Sequence, residues 1–257
     1  QSGRSDWPDR RPSDPNRPPA APERAVEEWI DEGVVGEAAS SSGAKRSRRS
    51  PIRVEVPELR GLVGAERAKK LQEILGRAAR DFSEDRFSDA RKALRPVVEE
   101  VPDLPEGREL MGLCQYRLGR WREAIKELEA FRELTGSAEQ NPVLADCYRA
   151  VGRHARVTEL WEELREASPS AELVTEGRIV AAGSLADQGE LGAAIVLLGK
   201  GFRFPKQPRE HHFRRAYALA DLYERAGDVP QARSLFTKIA AVDPDYLDVL
   251  ARRASLD

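Results

Sequence analysis

The stretch that decides the fold is Met111-Gly112-Leu113-Cys114-Gln115-Tyr116-Arg117-Leu118-Gly119-Arg120-Trp121-Arg122-Glu123-Ala124. Apolar residues at helical spacing run up to Gly119, and a second helical pattern starts directly behind it. Gly112 on the first helix and Ala124 on the second place little bulk where the two would cross. Helices packed about 8–10 Å apart need small residues at that point. The stretch therefore predicts one helical hairpin.

The hairpin recurs. With Ala124 as marker, the equivalent positions are Ala90, Val157, Ala194 and Ala232, at intervals of about 34 residues that lengthen toward the C-terminal end. Each marker follows a turn: Asp85-Arg86, Gly119-Arg120, Gly152-Arg153, Gly189-Glu190 and Gly227-Asp228. Four residues beyond each marker stands a large apolar residue, namely Leu94, Leu128, Trp161, Leu198 and Phe236. Twelve residues before it stands a small one: Ala78, Gly112, Ala145, Ala182 and Ala220. Pro102, Pro169 and Pro244 close three of the units. A single hairpin has too little core to stand alone, so stability must come from stacking units on one another.

These coinciding slots resemble the tetratricopeptide repeat, a helix–turn–helix unit of about 34 residues. The resemblance covers units over 71–104, 105–137, 138–171, 175–208 and 213–246, with a capping helix expected over 246–255. It implies an all-α fold, an α-solenoid of about five helix-turn-helix repeats over 51–257. The fourth unit is the weakest match, with Gly192 inside its second helix and Gly201 near its end.

The resemblance also implies a use. The first helices of such repeats line a concave groove that binds protein. Counting from the matched slots, Phe82, Glu109, Tyr116, Arg117, Asp146, Arg149, Arg214, Tyr217, Asp221 and Arg225 are the expected groove residues. The repeat's carboxylate-clamp version uses Lys and Asn in these helices, and neither occupies those slots here. Mixed charge with scattered Tyr suits an extended or helical peptide from a partner protein; the plainer reading is a solvated face.

Composition bounds the rest. The chain has 257 residues and a formal net charge of −2, which argues against a wholly basic nucleic-acid binder. No apolar run reaches the roughly 18 residues of a membrane span, and no apolar signal core opens the sequence. The expectation is a cytoplasmic protein that does not engage a membrane. Arg far outnumbers Lys, a bias of high-GC bacterial coding.

Residues 1–50 read as a disordered arm rich in Pro, Arg and Ser, with too few apolar side chains to repay ordering. Trp7 is either incidental or a docking residue. Over 22–32 the pattern changes: Val26, Trp29 and Ile30 share one helical face, and Gly33 is a natural stop. So short a helix is marginal alone, so it either docks, on a partner or on its own solenoid, or stays frayed. The cluster Lys45-Arg46-Ser47-Arg48-Arg49 is either a solubilising linker or a contact for phosphate backbones. Pro51–Pro57 alternates between prolines and should run extended, and a long helix is expected from near Val63 to Ser83.

The connector Gly201–Phe213 interleaves Phe202, Phe204 and Phe213 with Arg203, Lys206 and Arg209. The aromatics either plug helix ends or stack bases of single-stranded nucleic acid. An RNA- or ribosome-associated factor is thus the alternative to a protein-binding adaptor. Catalysis is not expected. His154, His211 and His212 lack partners at metal-ligand spacing, and neither a phosphate loop nor a nucleophile elbow is present. No cofactor is implied. Cys114 and Cys147 share one slot in consecutive repeats. Their expected separation of about 8–10 Å exceeds the reach of a disulfide at about 7 Å, so both should be buried free thiols.

Overall fold

The computed structural model describes residues 59–256. The expected arm, with its Val26, Trp29 and Ile30 helix, the 45–49 cluster and the extended Pro51–Pro57 segment lie outside the described residues. Within them the order is α1 (Leu59–Val63), α2 (Ala65–Ser83), α3 (Phe87–Glu100), α4 (Pro105–Arg117), α5 (Trp121–Thr135), α6 (Asn141–Ala150), α7 (His154–Ala167), α8 (Ala171–Asp187), α9 (Leu191–Gly199), α10 (Glu210–Arg225), α11 (Val229–Ala240) and α12 (Val249–Ser255). The pairs α2–α3, α4–α5, α6–α7, α8–α9 and α10–α11 form five hairpins, one to five, stacked in chain order as an α-solenoid.

The turns share one geometry. Asp85, Gly119, Gly152, Gly189 and Gly227 all take left-handed backbone, with φ of 58°, 68°, 73°, 83° and 79°. The next amide reaches back to close the first helix: Arg86 to the Asp81 carbonyl, Arg120 to Gln115, Arg153 to Tyr148, Glu190 to Leu185 and Asp228 to Tyr223, at 2.8–2.9 Å. This closure satisfies an orphan carbonyl and favours Gly at the left-handed position. Asp85 is the exception, an acid where the other hairpins carry glycine.

The recurring slots form the core. Ala78, Ala145, Ala182 and Ala220 are buried, as are Ala90, Ala124, Val157, Ala194 and Ala232 and the large residues Leu94, Leu128, Trp161, Leu198 and Phe236. At the crossing in hairpin two, a Cβ added to Gly112 would stand 2.7 Å from the Leu128 side chain. Periodicity alone did not mark Gly177 on α8. A Cβ there would stand 2.3 Å from Leu164 Cδ2 and 3.4 Å from Trp161 Cε3, so this glycine lets hairpin four lie directly on α7.

The long helix expected from near Val63 to Ser83 is α2; Gly64, at φ 80°, separates it from the short α1, which turns Leu59 fully inward. In hairpin four the second helix, α9, has only nine residues, ending where Gly199 and Gly201 offer the chain no helix-favouring side chain. At the C-terminal end α12 covers hairpin five with the fully buried Val249. Cys114 and Cys147 are buried and unbonded to each other. Burial pushes the Cys114 thiol up to about 12 and holds that of Cys147 well above its ordinary value too.

Candidate interaction face on the first helices

The first helices α4, α6, α8 and α10 carry a chain of polar contacts that passes from one hairpin to the next. Tyr116 of α4 donates its hydroxyl to Asp146 Oδ2 of α6 at 3.2 Å. Arg149, one turn along α6, donates to Asp146 Oδ1 at 3.4 Å and grips Asp187 of α8 through Nε (2.5 Å) and Nη2 (3.2 Å). The Arg149 guanidinium lies over Gly183, where a Cβ would stand 2.9 Å from its central carbon. Arg214 of α10 makes a matching fork to Glu176 of α8, at 2.6 and 2.7 Å. Beyond it, Arg252 of α12 joins Asp221 (2.8 Å) and Glu224 (2.8 and 3.0 Å), and the Tyr217 hydroxyl meets Asp248.

Burial sets the electrostatics of this face. Asp146 is 5% exposed; desolvation raises its pKa, and Arg149 and Tyr116 offset only part of that rise. For Arg149 and Arg214 burial favours loss of the proton, but the paired carboxylates outweigh it and hold both cations charged. Glu109 is shifted upward, first by burial and then by Glu139 and Glu106, against a hydrogen bond from Gln140.

The expected groove residues therefore divide. Phe82, Tyr116, Asp146, Tyr217 and Asp221 are buried; Tyr116, Asp146, Arg149 and Arg214 tie hairpins together, while Tyr217 and Asp221 tie hairpin five to Asp248 and Arg252. Phe82 packs edge-on to Phe87 at 5.2 Å. Glu109 accepts from Gln140 Nε2 of the next hairpin at 2.8 Å. Arg117 spans hairpins one and two, 3.5 Å from Asp85 and 4.4 Å above the Phe87 ring. Arg225 is exposed, 3.8 Å from Asp221. Sequence reasoning missed Asp187, Glu176, Asp248, Arg252 and Gly183. One signal was available: Glu176 and Arg214 occupy the same repeat slot with opposite charge, and equivalent slots of stacked units are neighbours.

The connector aromatics also have defined places. Phe213 stacks on Tyr246 at 5.2 Å, Phe204 meets Phe213 edge-on at 5.6 Å, and Phe202 lies under the Arg215 guanidinium at 4.9 Å. Among the described residues, no three His, Cys, Asp or Glu side chains are grouped to hold a metal ion. No helix there is long and apolar enough to cross a membrane.

Comparison with known proteins places this geometry. Residues 110–134 and 216–246, hairpins two and five with their turns, match the tetratricopeptide-repeat family. No curated protein sequence matches the chain. A thermophilic tetratricopeptide-repeat protein of Thermus thermophilus superposes with a TM-score of 0.55 at 19% identity, over 72% of this chain and 98% of that one. A Podosopora anserina putative kinesin light chain with nearly identical repeats gives 0.53 at 18% identity, over 68% of this chain and 96% of that one. Such low identity speaks to fold. The turn geometry, the filled slots and the two matched segments together give this chain a fold of tetratricopeptide-like hairpins, with the family itself matched in hairpins two and five.

Proposed function

We propose that the chain is a protein-interaction scaffold whose first-helix face receives an extended or helical peptide of a partner. One observation carries this reading: the polar side chains of that face are fixed by one another across hairpins. A face ordered before binding costs a partner less conformational entropy than a loose one. Tyrosines and arginines set among paired carboxylates match the residue types that dominate protein interfaces. Against the RNA-binding alternative, Phe213 is buried and stacked on Tyr246, with Phe204 packed edge-on to it.

The test is photo-crosslinking of the full chain in cell extract. The crosslinker is placed at Arg225 on the first-helix face or at Arg122, an exposed residue of α5. Protein adducts should form from Arg225, survive nuclease, and change little between low and moderate salt. Phosphate-driven capture would instead fall by about 10³–10⁵ over that range. Adducts formed only from Arg122, or abolished by nuclease, would overturn the proposal.

A further inference from the structure

Hairpins four and five meet at a second, separate arrangement of charge. Arg178 of α8 and Arg215 of α10 converge on the end of α9. Arg215 donates from Nε to the Leu198 carbonyl at 2.8 Å and from Nη2 to the Lys200 carbonyl at 2.7 Å. Arg178 donates from Nη1 to that same Lys200 carbonyl at 3.3 Å. The ring of Trp161 backs Arg178 at 5.4 Å, and Phe202 backs Arg215. Unlike Arg149, Arg214 and Arg252, neither cation is paired with a carboxylate among the described residues.

Capping the carbonyls of α9 explains part of this arrangement, but it leaves donors over. A guanidinium has five N–H groups. Arg178 spends one on Lys200, and its buried Nε has no hydrogen-bond partner. The two charges also crowd each other. Burial first, and then the charge of Arg178, lowers the Arg215 pKa to about 10. Burial first, and then Arg165, lowers that of Arg178.

We propose that Arg178 and Arg215 form an oxyanion site at the α9 end, taking an Asp or Glu carboxylate presented by a protein partner. The reading rests on the chain being a protein-binding scaffold, but it uses residues outside the first-helix contact chain described above. A carboxylate accepts two parallel N–H bonds from a guanidinium fork, which engages the unspent donors and relieves the repulsion between the cations. A nucleic-acid backbone fits less well. The neighbouring rings, Trp161 and Phe202, are already covered by guanidinium and are not open for bases to stack on.

The test uses the full chain and two labelled probes, a polyglutamate peptide and an oligouridylate, followed by fluorescence anisotropy at about 150 mM salt. Polyglutamate should bind, and R178Q/R215Q should weaken it by about tenfold or more, the range expected for charged hydrogen bonds. Because those arginines also cap α9, a readout on the unaltered chain is needed. The Arg178 and Arg215 Nε–H resonances should shift as polyglutamate is added. No binding to the unaltered chain, equal binding by the variant, unmoved resonances, or oligouridylate outcompeting the peptide would each overturn the site. Crosslinking from Arg225 would be untouched by such a failure, so the scaffold reading stands or falls separately.

Discussion

At the scale of single residues, two carboxylates on opposite helix layers, the half-buried Glu129 and the buried Asp146, respond to pH in opposite directions. Glu129 is pushed up by burial, but hydrogen bonds from Tyr148, Arg156 and Arg132 win and its pKa is lowered. It therefore stabilises the fold above the unfolded value of about 4.3, and that contribution is lost as pH falls through its folded value. Asp146 is raised by burial, so it is neutral in both states below about 3.9 and costs stability as pH climbs through its folded value. Urea melts across the acid range should show Glu129→Gln destabilised at neutral pH, with the difference shrinking in acid. Asp146→Asn should gain on the parent chain as pH rises, because its carbonyl still accepts from Tyr116. The same scale holds the close contacts. Gly177→Ala forces a methyl to within 2.3 Å of the fully buried Leu164. Overpacking of about 1–3 kcal/mol should exceed the helix-propensity gain of about 1 kcal/mol, giving a net loss in the urea midpoint. Cys114 and Cys147, both buried with raised thiol pKa values, should react slowly with a thiol reagent until denaturant is added.

At the scale of elements, hairpin four is the weak point. α9 spans nine residues and leaves Val196 70% exposed, so little apolar area holds it. Amide exchange should open α9 before α5 or α11, at free energies below global unfolding; equal protection would show that the arginine cap compensates for its brevity. This weakness was legible in the sequence from Gly192, Gly201 and the missing proline, just as the hairpins were legible from Ala124 and its equivalents. Those slots sit at crossings whose spacing the helix itself dictates. The short α1 ahead of Gly64 was not legible, because five residues are too few to display a helical period. Nor was the division of the face. The count from the slots brought Tyr116, Asp146 and Arg149 to one side of the helices. Whether they met a ligand or each other depended on Asp187 and Gly183, which lie in a different repeat and carry no local pattern.

At the scale of the whole molecule, the C-terminal cover closes the stack through one cation. Arg252 holds the buried Asp221 together with Glu224 and lies over Phe236 at 5.2 Å. Arg252→Ala leaves Asp221 with only the longer Arg225 contact and should cost about 1–3 kcal/mol, read as a lower urea midpoint. In a solenoid the terminal unit is supported from one side only, so the loss should appear first as faster exchange in α10 and α11. A change spread evenly from α2 to α11 would mean the stack unfolds as one body. The junctions of that stack are all different. A cation–aromatic contact with an ion pair joins hairpins one and two, and tyrosine hydroxyls on carboxylates, with arginine–glutamate pairs running in both directions between Arg132 and Glu163 and between Arg156 and Glu129, join two and three. An arginine fork points forward from three to four, and a fork of reversed polarity points back from five to four. The repeats are therefore not interchangeable parts. Exchanging hairpins three and four, or duplicating either, would set unlike ends together and strand a charge at the new seam. The order of the units is written into the bonds between them, so this array cannot be shuffled or lengthened by copying without rewriting its joints.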